Sequence, residues 1–288
     1  MPGMKVQIPD ALKADIPQTI WGKILAATPV VMTVVATMLA GLASSEMTRA
    51  QYARSLAAQL QSKAGDQWSF FQAKRLRSTL QRNTIDLLQA TAEVRPLERQ
   101  PDWPALEYLR RGEVPALPPG PALDPRIQAA IEAVARLEPD TTVAGLLRQI
   151  PDQLLDDALR AARERAQAFE ALTGPLNKEI EALEEKAPVR RDFIAARLRY
   201  TAARYDAEAR LNQAIANLYE LQVRKSNLTA TRHHTRSQRF FYGMLAAQAG
   251  VIIATFAMAA RQRNLLWIIA AAAGLVAVAF AVYVYLYV

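Results

Sequence analysis

Residues 24–43 read ILAATPVVMTVVATMLAGLA, 20 residues without a charge. About 20 apolar residues are what a helix needs to cross the hydrocarbon core of a bilayer. Two more such blocks lie far downstream: residues 240–260 (FFYGMLAAQAGVIIATFAMAA, 21 residues) and 265–288 (LLWIIAAAAGLVAVAFAVYVYLYV, 24 residues). Hydrophobic residues make up 51% of the chain and aromatics only 7%, so alanine carries much of the apolar count. Charged residues are absent from the three blocks and frequent almost everywhere else. That segregation predicts three transmembrane helices in an all-α protein: one N-terminal helix and a C-terminal hairpin turning at residues 261–264.

The first block is longer than the apolar core of a signal peptide, and 23 residues precede it, so it reads as a retained anchor. Trp21, Trp267, Tyr283, Tyr285 and Tyr287 stand at block ends, where amphipathic rings suit the headgroup level. Lys13 and Lys23 before the first span and Arg261 with Arg263 in the hairpin turn fall on one side if the N-terminus is inside. The positive-inside rule then places the N-terminus in the cytoplasm and residues 44–239 in the periplasm of a bacterial inner membrane. Arg224, Lys225, Arg232, Arg236 and Arg239, approaching the second span, weigh the other way.

Between the spans the chain divides by composition. After the tail (1–23) and span 1 (24–43), residues 44–95 form an outgoing amphipathic arm, with no proline and with Gly65 the one glycine. Ala53, Leu56, Leu60 and Ala64 recur at three- and four-residue steps, and Ala73, Leu76, Leu80, Thr84 and Leu87 resume the stripe. Residues 96–126 are a proline-rich connector, with eight prolines in the thirty residues 96–125, which predicts extended or irregular chain. Short helices are predicted within 127–151, over 127–137 and 143–150, the second with Asp140 and Thr141 as capping candidates. The return arm, 152–239, opens behind Pro151 and meets kinking or dividing prolines at Pro175 and Pro188. Its seam runs Val189, Phe193, Ala196, Tyr200, Ala203, Ala207, then after a stutter Leu211, Ala214, Leu218, Leu221, Lys225 and Leu228, with Lys225 the charged exception. At 1.5 Å per residue, arms of about fifty residues each reach roughly 75 Å. Matched arms predict a long antiparallel coiled-coil-like helical hairpin outside the bilayer, its stripes covered by the other arm, another subunit, or both.

The segment GDQWSFFQAK, residues 65–74, resembles the core motif of an uncharacterised bacterial membrane family, domain of unknown function 4337. Such members show an Asp-Gln-Trp step followed by aromatics and Gln-Ala-Lys. The early first span, charged helical middle, basic approach and terminal hairpin with an arginine-containing turn are also similar. The proline-rich insert is not. The resemblance implies a membrane location and supplies no activity. From helical spacing alone, Asp66 and Phe70 share one side with Ala73, Gln67 and Phe71 share another with Lys74, and Trp68 lies one turn from Gln72. Aromatics therefore wrap the helix, and the segment is the candidate junction between helices or subunits.

The chain carries no cysteine, which excludes disulfides, thiolate chemistry and cysteine-held metal sites. Adjacent His233 and His234 point about 100° apart on a helix and lack a third ligand. With Arg232, Arg236, Arg239, Arg261 and Arg263 they form a basic set for lipid headgroup contact. Glu181, Glu184 and Glu185 beside Lys178 and Lys186 read as a solvated face. No phosphate loop, nucleophile elbow or dinucleotide fingerprint occurs. The net charge of +8 comes with no nucleic-acid-binding motif. No enzyme activity, cofactor or metal is therefore expected, and no nucleic acid among the partners.

No Asp, Glu, Lys, Arg or His lies inside a span, so proton-relay chemistry lacks its groups. Small residues recur there at close-packing intervals: Thr33, Thr37 and Gly41; Gly243 and Ala247; Ala246, Gly250 and Ala254; Ala270 and Gly274. Of these, Thr37, Gly41, Gly243, Ala247, Gly250, Ala270 and Gly274 are the candidates for transmembrane packing. The expectation is a non-enzymatic homo-oligomer acting as a structural scaffold or accessory subunit, beside membrane lipids and a larger membrane complex. The alternative is a homo-oligomeric ion-conducting channel lined by Gln248, Thr33 or Thr37.

Overall fold

A computed structural model describes residues 20–97, 104–186, 190–259 and 263–287. Those residues are 89% helical and contain no strand. The helices are α1 (Ile20–Thr91), α2 (Pro104–Arg111), α3 (Pro125–Ala135), α4 (Asp140–Arg148), α5 (Asp152–Lys186), α6 (Arg191–Ala259) and α7 (Arg263–Tyr287). By length and composition, α1 and α6 are each apolar enough to cross a membrane, and α7 adds a shorter apolar stretch at Ile268–Val284. Lys13, Val189, Pro188 and Arg261 lie outside the described residues, so the predicted break at Pro188 and the turn at 261–262 do too. Pro29 and Pro175 sit inside α1 and α5 without dividing them.

The chain forms two compact units, one of residues 1–54 with 228–288 and one of residues 55–227. In the first, Ala36, Leu39 and Ala43 of α1 meet Phe240 and Ala247 of α6 and Ala277 and Val284 of α7 in one core. The approach is close. A Cβ built on Gly274 would lie 2.5 Å from Met32 Sδ, and one on Gly250 would overlap the Met32 methyl. One methionine thus fills the notch that two glycines leave open.

In the second unit, α1 and α6 run antiparallel: Lys74 pairs with Glu208, while Ser78 further along α1 meets Ala202 earlier in α6. The packing follows a seven-residue period. On α6, Ala195, Ala202, Ala209, Ala216 and Val223 are all buried; on α1, Ala57, Ala64, Ser78 and Ile85 are buried on the same period, with half-buried Phe71 filling the remaining step. Small side chains at every second turn let two backbones approach. The Ser78 hydroxyl proves the approach by donating across the interface to the Ala202 carbonyl at 3.0 Å. The first unit repeats the device: Ser237 on α6 donates to the Ala43 carbonyl at 2.7 Å, both residues standing on the same seven-residue series.

The connector is less irregular than its prolines predict. Pro104 takes the first position of α2, where its missing N–H is no loss. Ala105, Leu106 and Leu109 of that helix then bury against Ile180 of α5 and Ala196 and Tyr200 of α6. Gly112 ends α2 with φ +65°, and a Cβ there would stand 3.0 Å from Arg199 Cβ. Helix α3 is capped by Asp124, whose carboxylate accepts from Arg126 N–H at 2.9 Å. Helix α4 begins at Asp140 behind Pro139, without the side-chain cap that Asp140 or Thr141 was expected to supply. Lys225 explains its place in an apolar seam: its ammonium bonds the Ile150 carbonyl behind α4 and lies 2.5 Å from Asp152 Oδ1.

Candidate assembly surfaces

The 65–74 motif is split between the two sides of α1. Gln67, Trp68, Phe71 and Lys74 are partly buried, whereas Asp66, Phe70 and Gln72 are exposed. Trp68 and Phe71 meet edge to face with centroids 5.6 Å apart. Lys74 does two jobs, pairing with Glu208 and standing 5.1 Å from the Tyr205 ring centroid. Arg77 and Arg204 stack on the same ring at 5.8 Å and 4.9 Å. Asp206 draws Arg75 and Arg82 from α1, each at 3.7 Å. The motif and its downstream arginines are therefore anchored on α6.

That anchoring fixes which face of α1 turns outward, and it is not the face that the apolar stripe predicts. The side turned toward α6 carries Phe71, Lys74, Ser78, Gln81, Ile85 and Leu88. The more apolar stripe lies almost opposite on the helical wheel. Leu76, Leu80 and Leu87 are 61%, 53% and 66% exposed. The outgoing stripe over Ala73–Leu87 thus packs on nothing in its own unit among the described residues. The reason is chemical: α6 presents Asp206, Glu208 and Tyr205, so α1 turns its cations and small residues toward them. The outer face keeps a strict three-four period, Ala73, Leu76, Leu80, Asn83, Leu87 and Ala90.

In the first unit, most small residues singled out in the apolar blocks are used inside the chain. Gly243, Ala247, Gly250, Ala270 and Gly274 are buried, whereas Thr37 and Gly41 are exposed. Thr33, Ala36, Thr37 and Ala40 of α1 line a groove with Gln248, Val251 and Ile252 of α6. Its threonine hydroxyls donate back along α1, Thr33 to the Pro29 carbonyl at 2.8 Å and Thr37 to the Thr33 carbonyl at 2.9 Å.

The basic approach to the apolar end of α6 holds a partner that the sequence reading passed over. Glu46 of α1 is 7% exposed. Its carboxylate lies 2.5 Å from His233 Nδ1, 3.3 Å from Arg49 and 3.7 Å from Arg236. A buried carboxylate is tolerated only when paired, so this cluster ties α1 to α6. Arg236 faces that carboxylate, Arg239 is partly buried and Arg232 is exposed. Arg263 opens α7. Among the described residues, no group of three or more His, Cys, Asp or Glu is placed to hold a metal ion. A lone glutamate between Ser45 and Met47 gives no motif; its sole sequence signal is a charge on the seven-residue series that also carries Leu39 and Ala53.

Residues 21–106 match the model of a family described as a domain of unknown function, DUF4337. The match contains the 65–74 motif and ends inside α2. No curated protein and no solved structure matches the chain.

Proposed function

We propose that this chain, a DUF4337 domain over residues 21–106 with a long helical continuation, is a non-enzymatic membrane scaffold whose copies assemble side by side. Its three apolar blocks are transmembrane helices, and its arms form an alanine-seamed coiled-coil hairpin outside the bilayer. In that reading the chain lies in a bacterial inner membrane, with the N-terminus cytoplasmic and residues 44–239 periplasmic. The observation that carries assembly is the outer face of α1, where Leu76, Leu80 and Leu87 stay in water while polar Lys74, Ser78 and Gln81 face α6. Burying the exposed part of each leucine contributes about 1–2 kcal/mol.

The occupant fits a second copy. Two copies inserted the same way round present the same residue at the same height, which favours a parallel, in-register pair. In that register the flanking contacts are Gln72 with Arg77, Thr79 with Thr84, and Asp86 with Thr91, and none sets like charges together. Arg75, Arg77 and Arg82 are already engaged by Asp206 and the Tyr205 ring, which keeps them off the seam. Asn83, donor and acceptor at once, stands at a seam position where it can pair with itself. The test is native mass spectrometry of the full chain released from mild detergent. The wild type gives an oligomer, and Leu76→Glu with Leu80→Glu gives a monomer that keeps its helicity. A monomeric wild type sinks the reading.

A second reading, a homo-oligomeric ion-conducting channel, draws on the groove where Thr33, Thr37 and Gln248 meet. Planar-bilayer recording of the purified chain separates it from the scaffold.

A further inference from the structure

Gln248 is exposed, near the middle of the apolar block 240–260, and its carboxamide makes no hydrogen bond among the described residues. Beside it, the Thr33 and Thr37 hydroxyl protons are committed to carbonyls of α1, which leaves their oxygens as acceptors. The groove thus offers two amide donors, one amide acceptor and two hydroxyl acceptors, on an alanine floor of Ala36 and Ala40.

We propose that this groove is an intramembrane self-association site, in which Gln248 of one copy hydrogen-bonds Gln248 or the groove threonines of a second copy. The proposal rests on the membrane-scaffold reading and deepens it. A lipid acyl chain could fill the groove by shape, but it would leave every amide hydrogen-bonding position unpaired in hydrocarbon, where such groups are costly. The occupant must therefore bring donors and acceptors to this depth. A second copy inserted the same way round does so by identity, since its own Gln248 lies at the depth of the first copy's groove. The carboxamide is self-complementary, and a two-fold arrangement satisfies both copies with the same pair of bonds. Gly243, Gly250 and Gly274 do not compete for this role, because they are already spent on contacts with Leu39 and Met32.

The test uses the native absence of cysteine. Ile252→Cys, one turn from Gln248, is introduced into the full chain, reconstituted in phosphatidylethanolamine–phosphatidylglycerol vesicles at graded protein-to-lipid ratios and oxidised. The expected result is a dimeric crosslink. Adding Gln248→Leu should raise the protein density needed for half-maximal crosslinking about tenfold, the size of an interhelical side-chain hydrogen bond or two in lipid. Gln248→Asn, which keeps the carboxamide, should recover part of that loss. A parallel crosslink through Asn83→Cys should persist in Gln248→Leu. Crosslinking at 83 without crosslinking at 252, or crosslinking at 252 indifferent to Gln248→Leu, overturns the groove while leaving the scaffold standing. Failure at both positions removes both. Modification of Thr37→Cys by a membrane-impermeant thiol reagent overturns the proposal in favour of a wet, conducting groove.

Discussion

Ala202 stands where α1 and α6 approach closely enough for Ser78 to reach its carbonyl, and replacing it with leucine tests that closeness. The Ala202 side chain is 3% exposed, and its carbonyl accepts the Ser78 hydroxyl from the opposite helix at 3.0 Å. A leucine there must place three further carbons into an interface close enough for a serine to reach across it. Overpacking of this kind costs about 1–3 kcal/mol. Pushing the helices apart also strips Ser78 of its acceptor, and a buried hydroxyl left unpaired costs roughly another 1–3 kcal/mol. The sum is about 2–6 kcal/mol. For a unit of this size each kcal/mol moves the thermal midpoint by about 2–4 °C, so Ala202→Leu should lower it by roughly 4–24 °C. Ala214→Leu is the control, since Ala214 lies on the same helix but is exposed, and it should stay within about 0.5 kcal/mol of wild type. The assay is far-ultraviolet circular dichroism on heating the full chain in detergent. Equal midpoints for the two variants would refute an alanine-seamed pairing of α1 and α6.

Leu137→Gly should stabilise the chain. Leu137 ends α3 with φ 55° and is 89% exposed, and Glu138 N–H bonds the Ala133 carbonyl at 3.0 Å, a helix stop that favours glycine. The midpoint should rise by the equivalent of about 1 kcal/mol, whereas Gly112→Ala, at the matching stop of α2, should lower it. The Arg110 guanidinium, with Arg111 beside it, holds the Glu107 carboxyl down to about 2. Because that value lies below the unfolded one, the contribution of this cluster is complete above the ordinary glutamate range and is lost as pH falls toward 2; side-chain carboxyl NMR checks it, and titration near pH 4.5 would contradict it. Ser62→Cys should react with an impermeant maleimide added outside spheroplasts if the arm is periplasmic, and only after lysis if it is cytoplasmic.

Charge and hydropathy patterning made the apolar ends of α1 and α6 legible, and proline spacing gave α3 and α4 to within a few residues. The interior of the arms was harder to read, for a definite physical reason. Periodicity analysis follows large apolar residues, and in α1 those are Leu76, Leu80 and Leu87, which face outward. The face that binds α6 is built from Lys74, Ser78 and Gln81, whose value lies in charge pairing and in small size. The informative repeat was alanine at every seventh residue from 195 to 216, present in the sequence but too weakly hydrophobic to stand out among so many alanines. The same dilution hid the roles of Gly250 and Gly274, whose intervals fit association equally well within a chain and between chains. Of the 65–74 motif, helical spacing gave the shared sides of Asp66 with Phe70 and of Gln67 with Phe71. Which side met α6 depended on Glu208 and Tyr205, more than 130 residues away in sequence. Glu46 and His233 are separated still further and share no motif.

The outer leucine face either pairs with a second copy or stays exposed, and one crosslinking measurement separates the two. Asn83→Cys lies on that face and Gln81→Cys on the side turned toward α6. Each is placed alone in the cysteine-free chain and oxidised in native membranes. Pairing of two copies through the outer face gives a disulfide-linked dimer through position 83 and none through position 81. A dimer through 81 alone, or no dimer through either, would contradict it.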